Sequence, residues 1–163
     1  MRAGMTAMGA AALVLAASAT WAAERGPVPA VQAAPAAGDA SAIIAGRQAA
    51  FRMSGALFGS LKAAASAPGA DVTKLGFASR AIAGWAKALP GMFPAGSNGA
   101  PSGAAPTVWS DRAGFEAKAA AYAAAADKLA DLAKAGDTAG FIAQLDVVNG
   151  ACGACHSGYR ISH

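Results

Sequence analysis

Asp137-Thr-Ala-Gly-Phe-Ile-Ala-Gln-Leu-Asp-Val-Val-Asn-Gly-Ala-Cys-Gly-Ala-Cys-His-Ser-Gly-Tyr159 is the stretch on which the reading of this chain turns. Phe141, Ile142, Leu145 and Val148 recur at helical spacing, and Asp137 or Thr138 stands where a helix cap belongs. The same helical register brings Cys152, Cys155 and His156 (i, i+3 and i+4) onto one face, so two sulfurs and an imidazole point the same way. Cys-x-x-Cys-His is the attachment sequence for c-type haem: the cysteines form thioethers with the porphyrin, and the histidine ligates the iron. The spacing therefore predicts one covalent haem c held by Cys152 and Cys155, with His156 as the axial iron ligand.

Three other readings of these residues are weaker on chemical grounds. A disulfide across a two-residue gap is strained inside a regular helix. A thioredoxin-like dithiol expects a βαβ setting, and strand patterning is scarce here. Structural zinc needs four ligands, and the chain offers only two Cys and two His, with His163 at the terminus.

Outward from this segment the chain reads as helix throughout. Of 163 residues, 55% are hydrophobic but only 7% aromatic, and alanine, the best helix former, supplies much of the difference. One helix is expected from about Ser41 to Ala65, with Ile44, Phe51, Leu57, Phe58 and Leu61 inward and Ser66-Ala67-Pro68-Gly69 as its break. A second is expected from the Asp71 cap to about Leu89, with Leu75, Ile82 and Trp85 as its stripe and Pro90 as its stop. A Pro/Gly-rich connection of about Gly91 to Ser110 follows, long enough to expect a functional or tethered loop. The third helix starts at Ser110 or Asp111 and runs through Phe115, Tyr122, Leu129 and Leu132 to about Ala135, where Gly136 ends it. The fold expected is all-α, an antiparallel four-helix bundle over residues 41–163.

Residues 1–22 read as a cleaved signal peptide. Arg2 gives the positive start, Ala10 to Ala17 the apolar run, and Thr20-Trp21-Ala22 a small-x-small cleavage site near Ala22. The run falls short of the roughly 20 residues a membrane-spanning helix needs, so no stable membrane anchor is expected. Residues 23–40, rich in Pro and Ala, read as a flexible lead-in. These features imply export to the periplasm, where haem c is attached in bacteria. Loss of Arg2 lowers the formal charge from +4 to +3, too little and too diffuse for nucleic acid. No paired carboxylates, nucleophile–base pair or phosphate loop stands out, so an enzyme is not expected. Asp111 reads as a helix-start residue rather than a catalyst.

The sixth iron position separates ligand binding from pure electron transfer. After cleavage its strong candidates are Met53, Met92 and His163. His163 follows the axial ligand too closely to reach the other side of the ring, and Met92 lies in the Pro/Gly-rich loop. At about 100° per residue, Arg47 and Phe51 share a face while Met53 lies nearly opposite. Phe51 is accordingly either a shield over an open iron or an ordinary core aromatic.

Taken together, these residues resemble the class II cytochromes c, specifically cytochrome c′. The likeness rests on Cys152–His156 near the C-terminus followed by Tyr159-Arg160, on Arg47-Gln48-Ala49-Ala50-Phe51, on Phe93-Pro94-Ala95-Gly96-Ser97, and on Val108-Trp109-Ser110-Asp111 with Phe115 after it. It covers about Ala40 to His163. The resemblance implies Arg47 and Gln48 near the haem propionates, Phe51 as the distal residue and Arg160 as the proximal basic residue. It further implies a high-spin haem protein that binds NO or CO at an open iron, retains electron-transfer capacity and has a periplasmic redox partner. The alternatives are a low-spin electron carrier with a methionine sixth ligand and, remotely, a periplasmic dithiol/disulfide protein. A homodimer through the first two helices is also implied; Leu57, Leu61 and Leu75 would suit its seam, and equally the internal core.

Overall fold

The computed structural model describes residues 40–99 and 101–161; the expected signal peptide, most of the lead-in and His163 lie outside them. Four long helices, α1 (Ala40–Ala65), α2 (Gly76–Ala88), α4 (Arg112–Ala135) and α5 (Thr138–Tyr159), form the bundle, and a single turn, α3 (Thr107–Ser110), precedes α4. Among the described residues the one β feature is an isolated antiparallel bridge between Ala104 and Arg160.

Local chemistry sets the boundaries. Asp111 and Asp137 cap α4 and α5, each accepting a hydrogen bond from the amide of the glycine three residues on, Gly114 and Gly140. α4 ends where Gly136 takes a left-handed backbone (φ 71°), and the amides of Gly136 and Asp137 then donate to the last carbonyls, Ala133 and Leu132.

The expected second helix is three pieces. Asp71 caps a 3₁₀ turn, Val72–Leu75; α2 follows; and a second 3₁₀ turn, Leu89–Met92, absorbs Pro90 near its start before the chain leaves the bundle. The expected long loop is correspondingly shorter, because it begins after this turn and ends in α3.

Packing is uneven. α4 lies against both α2 and α5, burying Phe115, Ala119, Tyr122, Ala126, Leu129 and Ala133 among Ile82, Ala86, Phe141, Leu145 and Val148. Small alanines on α2 and α4 let these backbones approach closely. α1 is anchored at its two ends by Ile44 and Arg47 and by Leu61 and Ala65. Between them no residue is fully buried: Phe51, Leu57 and Phe58 touch the core yet stay half-covered. Of the leucines suited to a dimer seam, Leu61 is in the core and Leu57 and Leu75 pack against it.

Candidate haem-binding site

α5 builds the site. Its inward residues, Phe141, Leu145, Val148, Cys152, Cys155 and Tyr159, follow one another at spacings of three and four, so the two thiols continue the seam that carries the core. Both are free and half-buried. Burial pushes both thiols above their ordinary value; the neighbouring Cys152 adds to this for Cys155, and Lys118 offsets it in part. Cys152 faces α4, where burial first and that thiol second push the Tyr122 phenol up to about 12. His156 stands at the exposed flank one step from Cys155. Partial burial, then the Arg160 cation, lower its imidazole below the usual value, which favours the neutral ring that a metal ligand must be. Among the described residues no cluster of three His, Cys, Asp or Glu could hold a metal ion by itself.

Opposite elements contribute a chain of aromatic rings. Phe51 meets Trp85 edge-on with centroids 5.1 Å apart and Phe93 at 6.1 Å; Phe93 in turn meets Phe115 at 5.0 Å and Trp109 at 6.1 Å. Met53 points away and is 72% exposed, as the angular argument from Arg47 and Phe51 requires.

The loop after α2 is held from two sides. Arg47, only 3% exposed, donates to the Met92 carbonyl (3.1 Å), to the Ser97 carbonyl and hydroxyl (3.0 Å each) and to the Ser102 hydroxyl (2.8 Å). Its guanidinium also lies 4.4 Å from the centroid of Phe93. From the other side Arg112 donates to the carbonyls of Pro90 (2.9 Å) and Phe93 (3.2 Å), and Trp109 Nε1 donates to Pro94 (3.0 Å). Gln48 donates to the Pro101 carbonyl at 2.7 Å. Arg47 and Gln48, expected beside the propionates, both donate to this loop. The sequence does not single out Arg112, and Ser97 enters it only within the Phe93–Ser97 segment; the closely spaced Pro90, Pro94 and Gly96, which mark a loop of successive turns, are the available signal.

Arg160 ends α5 in an extended conformation and pairs with Ala104, close enough to His156 for its charge to be felt there. The donor set fits a c-type haem. Two unpaired thiols lie on the core face with a neutral-leaning imidazole beside them, and the half-covered Phe51 and Phe58 offer apolar surface that a large apolar group would cover.

A helical bundle whose last helix presents two thiols and an imidazole within little more than one turn defines the class of c-type haem proteins. The chain belongs to the cytochrome c′ family: the family profile described as Cytochrome C' matches residues 42–160, and that family implies a covalently bound haem. Cytochrome c′ of Rubrivivax gelatinosus is 36% identical over 116 residues, covering 70% of this chain and 90% of that one. A crystal structure of cytochrome c′ from the same organism superposes with a TM-score of 0.66 at 35% identity, over 72% of this chain and 94% of that one. Cytochrome c-556 of Agrobacterium tumefaciens (strain II Chrys) is 43% identical over 76 residues, 47% of this chain and 61% of its own length. A nitric oxide complex of a variant cytochrome c prime from Alcaligenes xylosoxidans aligns with a TM-score of 0.70 at 27% identity, over 76% of this chain and 97% of that one. A carbon monoxide-bound variant of that protein aligns equally well, over 77% and 98%.

Proposed function

We propose that this chain is a periplasmic cytochrome carrying one haem on Cys152 and Cys155, with His156 as the axial ligand, and that its distal face binds nitric oxide or carbon monoxide. The haem, when bound, supplies an iron that takes a small ligand or an electron; the chain itself supplies shielding and position. The observation that supports an open distal side is the pinning of Met92. Its carbonyl is held by Arg47, and those of Pro90 and Phe93 on either side are held by Arg112. With its backbone held there, Met92 could approach the iron only by turning its side chain out of the core contact it makes, whereas Phe51 already packs inward and cannot ligate iron. Electron transfer to a periplasmic partner is compatible with the same site, and no enzymatic role is assigned. The export-type N-terminus, expected to be cleaved near Ala22, supports the location, and no helix among the described residues is long and apolar enough to cross a membrane.

Optical spectra of the oxidised and reduced holoprotein, with and without carbon monoxide, test this reading. High-spin spectra and carbon monoxide binding are expected, unchanged in Met92→Ala. A low-spin spectrum that turns high-spin in Met92→Ala would instead establish the methionine-ligated carrier. A mature chain without the added mass of one haem would leave only the dithiol reading.

A further inference from the structure

α5 does not fray after His156. The Tyr159 hydroxyl donates to Asp111 Oδ2 at 2.6 Å, and its ring sits edge-on to Phe115 with centroids 5.5 Å apart. Asp111 uses its other oxygen to cap α4, accepting from the Gly114 amide at 3.1 Å. One carboxylate therefore fixes both the start of α4 and the end of α5. Three further bonds reinforce the attachment: two between backbones, from Ala105 to the Tyr159 carbonyl at 3.0 Å and from Ile161 to Gly103 at 2.9 Å, and one from the Thr107 hydroxyl to the Gly158 carbonyl at 2.6 Å. Position 114 leaves room for this junction, since a side chain there would overlap both Asp111 Oδ2 and Tyr159 Oη. A glycine in the first turn of a helix, at some cost in helix propensity, fits a site that must admit the phenol.

We propose that Tyr159 is a positioning residue for the axial imidazole: its bond to Asp111 fixes the tilt of the turn from which His156 projects. The proposal rests on the reading of His156 as the iron ligand. His156 and Tyr159 stand three residues apart, adjacent on the helix surface. The carbonyls of a helix's last turn lack intrahelical donors, and the turn drifts unless tied from outside. A hydrogen bond to a carboxylate is shorter and stronger than a neutral one, and it is directional. Because the backbone ties to residues 103–107 remain when the phenol is removed, its loss is expected to reorient the turn without unfolding it.

The test uses the ferrous holoprotein. Tyr159→Phe keeps the ring against Phe115 and removes the hydroxyl. Asp111→Ser keeps a good helix cap but is too short to reach Tyr159. Both should move the iron–histidine stretching band in resonance Raman spectra in the same direction and change carbon monoxide affinity about fivefold, the lower end of usual coupling between sites. The double variant should change neither further. Asp137→Ser, which alters the equivalent cap of α5 far from His156, should move neither. The proposal is overturned if Tyr159→Phe lowers Tm but leaves band and affinity in place, or if the two substitutions add. Should Tyr159→Phe fail to accumulate, Asp111→Ser alone decides by the same band. A parent protein without covalent haem would instead remove the haem reading, before any variant is compared.

Discussion

Replacing Arg47 with leucine should loosen the loop after α2 without emptying the core. Arg47 serves four acceptors. Two are hydroxyls with partners of their own: Ser97 Oγ donates to Pro94, and Ser102 Oγ accepts from the Ala104 amide. The other two, the carbonyls of Met92 and Ser97, lose a donor in part-buried and buried settings. At about 2 kcal/mol for each orphaned carbonyl the loss is about 4 kcal/mol, and the contact with Phe93 adds about 1 kcal/mol. Against this, no ion pair to Arg47 exists among the described residues, and burial lowers its pKa, so its desolvation cost is relieved in the variant. With that relief taken as about 2 kcal/mol, a net loss of about 3 kcal/mol follows, or roughly 12 °C in Tm for a domain of this size. Thermal unfolding of the holoprotein by circular dichroism reads it. Faster hydrogen exchange at the amides of Phe93 and Ser97, whose turns the arginine braces, should accompany it. Arg47→Lys should not restore stability, because one ammonium cannot span acceptors placed for a planar fork. A loss below about 1 kcal/mol, or a gain, would refute the reasoning and show that the loop holds itself.

Two further outcomes follow from local geometry. Gly136→Ala should cost about 1 kcal/mol, since alanine resists the left-handed backbone at φ 71°, and Tm should fall by about 4 °C; an unchanged Tm would show the turn to be adaptable. Thr73, chiefly through its hydroxyl and then its amide, holds the Asp71 carboxyl below its ordinary 3.8, and the hydroxyl of Tyr159 followed by the Gly114 amide does the same for Asp111. Both folded values are depressed, so this stability is fully present above about 3.8 and is lost as pH falls through the lower folded values. Asp71→Asn keeps a capping side chain, so it should flatten the acid limb of Tm against pH while leaving neutral-pH Tm nearly unchanged. An acid limb identical to the parent's would contradict this.

Much of the bundle was legible because its signals are local. Asp71, Asp111, Asp137 and Gly136 mark boundaries within a few residues of themselves, and the periodic apolar residues give the inward faces. Cys152, Cys155 and His156 are legible for the same reason, because one helical turn contains their geometry. The 3₁₀ turns around α2 were not, since four residues are too few to display a period, nor was the single turn of α3. The arginine bonds to the loop were hidden for a different reason: they join Arg47 to carbonyls 45 and 50 positions away and Arg112 to carbonyls 19 and 22 positions away, and a carbonyl leaves no mark in the sequence. Tyr159 and Asp111 belong to the same class, 48 positions apart.

Residues 101–107 are gripped at both ends, by Gln48 and Arg47 from the first helix and by the final turn of the last. In a polypeptide made from its N-terminus, this segment emerges before one of its two holders exists. Closure of the junction must therefore await the synthesis of α5, and a chain cut short ahead of α5 would lack the turn that seals it, however well its earlier helices had formed.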